Sequence, residues 1–179
     1  MKVDTILADI LQREGWPTYT DDARDRGGPT KGGITQRTLE AWRGRRCTRK
    51  ELRNLTEDEA LSILRRRYVE ANGINRLDRL KIQAQIIDDA VLSGPYIAIL
   101  DLQKALGNVL VDGICGIKTT HACVGADDDL PVRLAVIRAL RLAKHVTKNP
   151  DQLCYLNGWL SRALSFAHAA PAPTPVTDR

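Results

Sequence analysis

Large aromatic and sulfur-bearing side chains are scarce in this chain: 179 residues include one Phe and one Met, beside three Trp and four Tyr. The core must then be built mainly from Leu, Ile, Val and Ala, which suits packed helices. No run reaches the ~18 apolar residues of a membrane span, so stable membrane insertion is not expected. The N-terminal apolar run contains Asp4 and Asp9 and reads as an amphipathic helix, not a signal peptide. No CxxC pair occurs among Cys47, Cys115, Cys123 and Cys154. Cys115 and Cys123 with His121 between them have the wrong spacing for a zinc knuckle and lack a fourth ligand, so neither metal nor cofactor is expected. Asp127-Asp128-Asp129 lacks the further oxygen ligands of a cation loop and reads as a helix start before Pro131.

What is abundant is positive charge, with 27 Lys and Arg against 22 Asp and Glu and a formal net charge of +5. That excess suits an anionic partner, and nucleic acid, lipopolysaccharide and peptidoglycan all qualify. A nucleic-acid binder needs basic and amide side chains along one recognition helix. The best candidate here, Arg43, Arg45, Arg46, Arg49 and Lys50 beside Trp42, lies at a loop border, and a solvated face is the default reading.

The least ordinary stretch is Glu14 to Thr35, EGWPTYTDDARDRGGPTKGGIT. Pro17, Gly27, Gly28, Pro29, Gly32 and Gly33 exclude a helix, so the stretch is expected to be turn-rich, with a small β-hairpin between Tyr19 and Ile34. Before it, Val3, Ile6, Leu7, Ile10 and Leu11 repeat at helical spacing. Glu14 therefore falls at a helix C-terminus, an unfavourable place for an ionised carboxylate and a suitable one for a general acid. Asp21, Asp22 and Asp25 offer second carboxylates, and Thr30 and Thr35 offer hydroxyls. An acid plus a group that acts as nucleophile or places a water is what glycosidic cleavage requires. Gly27 and Gly28 allow a tight turn there, and a β-branched residue at Gly28 is expected to clash.

The order Glu-Gly, aromatic, Asp, Gly-Gly-x-Thr, x-Gly-Ile-Thr resembles phage-type and secretion-associated N-acetylmuramidases, the lysozyme-like peptidoglycan hydrolases of glycoside hydrolase family 108. The resemblance implies a mainly α, lysozyme-like fold. It places Glu14 on the family's catalytic glutamate, Asp25 on the aspartate before the Gly-Gly, Thr30 on the threonine after it, and Gly33-Ile34-Thr35 on the Gly-Ile-Thr. It implies substrate contacts from Trp16, Tyr19, Thr35 and Tyr68, with Gly27, Gly28 and Gly33 shaping the loop. Where the family usually has a second glycine this chain has Trp16, and Arg26, Lys31-Gly32 and Leu92 are further departures. Two other classes remain: a peptidoglycan-binding protein with a dead site, and a nucleic-acid-binding helical protein.

Further along, Thr35 is expected to cap a helix through Leu39 and Trp42, and Thr56 with Glu59 forms a capping box for a helix ending near Gly73. Tyr68 is either a half-buried ring between helices or a sugar contact. Leu77 to Val91 reads as a central helix buried on several sides, and Pro95 opens the next. Leu102-Gln103-x-x-Leu106-Gly107 followed by Asp112-Gly113 resembles a peptidoglycan-binding repeat, with Thr119 capping a short helix. Leu134 to Val146 is a further helix. In the last, Leu156, Trp159, Leu160 and Leu164 form the apolar side, with Trp159 as a core anchor. We expect one lysozyme-like domain over residues 1–168, with the catalytic motif in about 1–94, a binding-like half in 95–168, and a tail over 169–179 with nothing to bury. The expected protein is monomeric, made in the cytoplasm, and dependent on a holin or another export route to reach the wall.

Overall fold

The computed structural model describes residues 3–21 and 28–167. Asp22, Asp25 and Gly27 therefore lie outside the described residues, as does the expected tail. The fold is mainly α with one small antiparallel sheet. The chain packs as two compact units, Met1–Asn75 and Arg76–Arg179.

In the first unit, α1 (Val3–Arg13) buries Ile6, Leu7, Ile10 and Leu11, the stripe the spacing predicts, and packs against α4 (Glu57–Arg65). The sheet has three two-residue strands, β1 (Tyr19–Thr20), β2 (Thr30–Lys31) and β3 (Ile34–Thr35), one more than a single hairpin. Thr35 caps α2 (Gln36–Arg43), its hydroxyl accepting from the Thr38 amide, and Gly44 ends that helix at φ 66°.

The basic run that follows is not a bare solvated face. It contains α3 (Arg49–Arg53), opened by a complete capping box between Thr48 and Glu51. Arg45 reaches Glu51 at 2.6 Å, and that bond with those from Thr48 holds the Glu51 carboxyl down at about 2. Arg43 forms a two-pronged pair with Glu59, at 2.9 and 2.7 Å. Glu59 is thereby diverted from the reciprocal half of the expected capping box; only the Thr56 hydroxyl to Glu59 amide bond is made. Helix α4 does not run on to Gly73 as an α-helix: from Arg66 to Glu70 it widens into a π-turn that carries Tyr68.

In the second unit, α5 (Leu80–Ser93) starts later than its apolar pattern and is buried from Ile82 through Ala90, polar residues included. It packs on α6 (Pro95–Leu106), which opens on Pro95, and on α8 (Leu130–Lys148). The carboxylates of Asp88 and Asp89 and that of Asp101 on α6 meet three arginines. Arg138 approaches Asp88 at 2.9 Å and Asp89 at 3.2 Å, Arg141 pairs with Asp89 and Asp101, and Arg162 with Asp88.

The Gln103 amide organises the loop before α7 (Ile117–Val124). Its oxygen accepts from the Asp112 and Gly113 amides, and its nitrogen donates to Asp112, the Ile114 carbonyl and Thr119. Thr119 thus serves this loop from inside α7 instead of capping it; Gly116 holds the cap position. Cys115 and Cys123 are buried free thiols, and burial pushes Cys115 up to about 11. After a 3-10 turn at Pro150–Gln152 comes α9 (Leu153–Leu164), where Ala163 is buried while Leu153 and Leu164 are exposed. Trp159 is only half-buried, so it does not anchor the core as its periodic position suggests.

Candidate functional site

Glu14 is fixed by the way α1 ends. The Gly15 amide donates to the Gln12 carbonyl at 3.0 Å, and the Trp16 amide reaches back to the Leu11 carbonyl at 3.2 Å. Gly15 sits at φ 86°. This is a Schellman ending, which needs a residue tolerant of the left-handed region one place beyond the helix. The Glu-Gly order thus has a local cause: Gly15 turns the chain, and Glu14, whose own amide bonds to Ile10, stays on the last helical turn with its side chain exposed.

The sheet then folds over this helix end. The Gly32 amide donates to the Thr18 carbonyl at 3.0 Å, and strands β2 and β3 pair Lys31 with Ile34 and Thr30 with Thr35. Gly32 and Gly33 form the two-residue turn between them at φ 50° and 77°. Positive φ at both central positions is the requirement of a type I′ hairpin turn. Each glycine also allows a close approach. A Cβ on Gly33 would stand 3.2 Å from the Glu14 Cβ, and one on Gly32 would stand 2.6 Å from the Trp16 ring. The turn therefore lies directly against the candidate acid and its aromatic neighbour.

Lys31 locks the arrangement from the other side. Its ammonium donates to the carbonyls of Arg53 and Leu55 at 2.6 and 2.9 Å and lies 4.8 Å from the centre of the Trp16 ring. The Arg53 guanidinium lies 4.6 Å from the Tyr19 ring, whose hydroxyl donates to Asp21. Cation–ring contacts of this kind contribute about 0.5–1 kcal/mol each when exposed. Asp21 is also paired with Arg49 at 3.1 Å, so it is a structural carboxylate here.

Of the residues singled out in the sequence, Glu14, Trp16 and Gly33 come together, and Tyr19, Thr30 and Thr35 sit on the same small sheet. The Thr30 hydroxyl donates to the Gly28 carbonyl at 3.0 Å, and the Thr35 hydroxyl is engaged with Thr38. Tyr68 is half-buried, with Arg67 over its ring at 5.6 Å. Gly28 has φ 71° and no described atom within 4 Å of an added Cβ, so any L side chain there is strained by the backbone conformation. Sequence reasoning named Gly32 and Lys31 without giving either a part in the site, and it passed over Arg53. The Gly-Gly pair between Thr-Lys and Ile-Thr is a legible hairpin signal; no signal marks the ties of Lys31 to two distant carbonyls. Among the described residues no group of three His, Cys, Asp or Glu is placed to hold a metal ion.

These contacts separate the two glycines experimentally. Gly33→Ala should cost about 1–2 kcal/mol in backbone strain and also push Glu14 aside, lowering turnover. Gly28→Ala carries similar strain without that push, so its loss of rate should be the smaller. Thermal melts with turnover on the same preparations measure both; a Gly33→Ala rate equal to the wild type would show that this contact does not seat Glu14.

Comparisons with known proteins divide the chain near residue 95, so that α5, which packs in the second unit, falls within the first match. A family described as Glycosyl hydrolase 108 matches residues 7–94. Another, described as Predicted Peptidoglycan domain, matches residues 97–164. The solved structure of Brucella abortus SagA is 30% identical, with 94% of this chain and 97% of that chain covered and a TM-score of 0.68. No curated protein matches.

Proposed function

Because this chain belongs to the glycosyl hydrolase 108 family and carries a peptidoglycan domain behind its hydrolase segment, we propose that it is an N-acetylmuramidase with Glu14 as its general acid. The chain is a glycoside hydrolase with peptidoglycan as its substrate or partner, acting at the cell wall. The bond we assign is the β-1,4 link between N-acetylmuramic acid and N-acetylglucosamine. The observation that carries the reading is Glu14 itself, an exposed carboxyl on a rigid helix end with the Gly32-Gly33 turn seated against it.

In the proposed reaction Glu14 gives its proton to the leaving glycosidic oxygen as the C1–O bond breaks. Water then bonds to C1, and Asp25 and Thr30 share its placement, Asp25 taking the proton that the water releases. In an inverting site the two carboxyls stand about 6.5–9.5 Å apart to admit that water; about 5–5.5 Å would mark a retaining site with a covalent intermediate. Trp16, Tyr19, Thr35 and Tyr68 are the proposed sugar contacts. Among the described residues no helix is long and apolar enough to cross a membrane. We further propose a monomer that reaches the wall through a holin or another export route, in phage lysis or in protein secretion.

Purified sacculi test the reaction class. Hydrolysis of glycan should release reducing ends with no gain in free amino groups. New amino groups with intact glycan would mean peptide cleavage, and sedimentation with the sacculi without any product would leave a wall-binding protein with a dead site.

A further inference from the structure

The second unit contains a cleft of about 440 Å3 that the proposed reaction does not use. This lies within the roughly 300–1,000 Å3 of small-molecule sites. Leu92 and Ile97 give it an apolar wall, while Ser93, Arg141, His145 and Gln152 give it polar groups. Trp159 completes the lining. Its indole is held by neighbours: Tyr155 stacks on it with centroids 5.8 Å apart at 26°, and His145 meets it edge-on at 6.1 Å. A half-exposed tryptophan braced in this way is a ready platform for the apolar face of a ligand ring.

The electrostatics decide which ligand. Arg141 is the cation in the lining, and its charge is already committed. Its Nη2 donates to both Asp89 oxygens at 2.8 and 2.7 Å, and its Nε to Asp101 at 2.6 Å. Its Nη1 donates to the Ser93 hydroxyl, which itself donates to Asp89. Arg138 approaches Asp89 and Lys104 approaches Asp101 as well, so the cluster is charge-matched, and every guanidinium nitrogen of Arg141 already donates within it instead of facing a ligand carboxylate. Stem peptides of peptidoglycan are acidic and find little here. An uncharged pyranose with an N-acetyl group matches better: the ring on Trp159, the acetamide against the Gln152 amide and the His145 imidazole, the methyl against Leu92 and Ile97.

We propose that this cleft is a non-catalytic subsite for an N-acetylated amino sugar of the glycan strand. The proposal rests on the peptidoglycan reading above and locates, in the second unit, where the strand is held. Ser93 and Arg141 act as positioning residues for the cleft floor through the Asp89 and Asp101 carboxylates.

The test uses the full chain labelled with 15N at its three tryptophans. The Trp159 indole signal is assigned by its loss in Trp159→Phe. Triacetylchitotriose and the methylamide of N-acetylmuramic acid, whose lactyl group is uncharged as it is when amide-linked in the strand, titrated separately, should shift the Trp159 signal to saturation, and their comparison tells which of the two amino sugars is preferred. Cellotriose, which has no N-acetyl groups, and a free stem tripeptide should leave it in place. In co-sedimentation with sacculi, Trp159→Ala should weaken binding about tenfold, the effect of one lost aromatic anchor, and Trp159→Phe should recover most of it. Gln152→Ala, a change in a short surface turn, should weaken binding in a chain whose melting is unchanged. Equal shifts with cellotriose, a shift with the stem tripeptide, or no saturable shift with either amino sugar would overturn the proposal. The Trp16 signal and sacculus hydrolysis report the other unit separately. Hydrolysis without a Trp159 response removes this subsite alone, and a Trp159 response without hydrolysis removes the muramidase assignment alone.

Discussion

Exchanging Glu14 for Gln should lower turnover on sacculi at least ~100-fold, the lower range for general acid catalysis, while the protein stays folded and bound to the wall. The amide is nearly isosteric with the carboxyl but has no acid proton to give. The Schellman ending that fixes position 14 is made by the backbone of Leu11 to Trp16, so the exchange leaves it intact. The Glu14 atoms nearest Gly33 are its Cβ and Cγ, which Gln keeps. Asp25→Asn and Thr30→Ala should each cost less if the two share the placement of water. Circular dichroism on the same samples controls for folding. A folded Glu14→Gln chain with most of the wild-type rate would move the acid to Asp21, Asp22 or Asp25. Asp21 would be a poor substitute, since its carboxylate already serves Arg49 and Tyr19.

The largest loss of stability is expected from Arg138→Ala. Arg138 has no solvent exposure and lies between two buried carboxylates, Asp88 and Asp89. Breaking a buried ion pair from one side costs about 3–5 kcal/mol, because the remaining charge is stranded in a poor solvent. Here Arg162 still reaches Asp88 and Arg141 still reaches Asp89, and the Arg138 contacts are close in distance but off the hydrogen-bonding direction. Both points favour the lower end of that range. A loss of about 3 kcal/mol corresponds to a drop of roughly 6–12 °C in a chain of this size. Arg138→Met combined with Asp88→Asn removes a charge of each sign at nearly constant volume, and should recover part of the loss. Urea midpoints for the three proteins measure this, and a shift below ~1 kcal/mol for Arg138→Ala would show that the remaining arginines suffice.

Much of the fold was legible because much of it obeys local rules. The stripe of α1, the Thr35 cap, Pro95 at the start of α6 and the multi-sided burial of α5 each follow from spacing or from one residue type. Misreadings arose where a distant partner outbid a local one. Glu59 fits a capping box by sequence, yet Arg43 draws its carboxylate away. Thr119 fits a cap, yet Gln103 and the Ile114 carbonyl engage its hydroxyl inside the helix. Trp159 fits a core stripe, yet α9 lies at the edge of its unit and the ring faces a cleft.

The candidate site divides in the same way. Glu14 with Gly15, and the Gly32-Gly33 turn, could be read from the chain because each depends on backbone conformations few residues adopt. The support from Lys31 and Arg53 could not, because it joins β2 and β1 to residues more than twenty places away with ordinary surface side chains. Asp101 is similarly silent: nothing in its surroundings along the chain tells that it meets Arg141 forty residues later.

The central claim concerns one bond, and the new chain end produced from sacculi identifies that bond. After exhaustive digestion, reduction with borohydride and mass spectrometry, the soluble fragments should be disaccharide-peptides that end in N-acetylmuramitol. Fragments ending in N-acetylglucosaminitol, or stem peptides freed from an uncut glycan, would contradict the account.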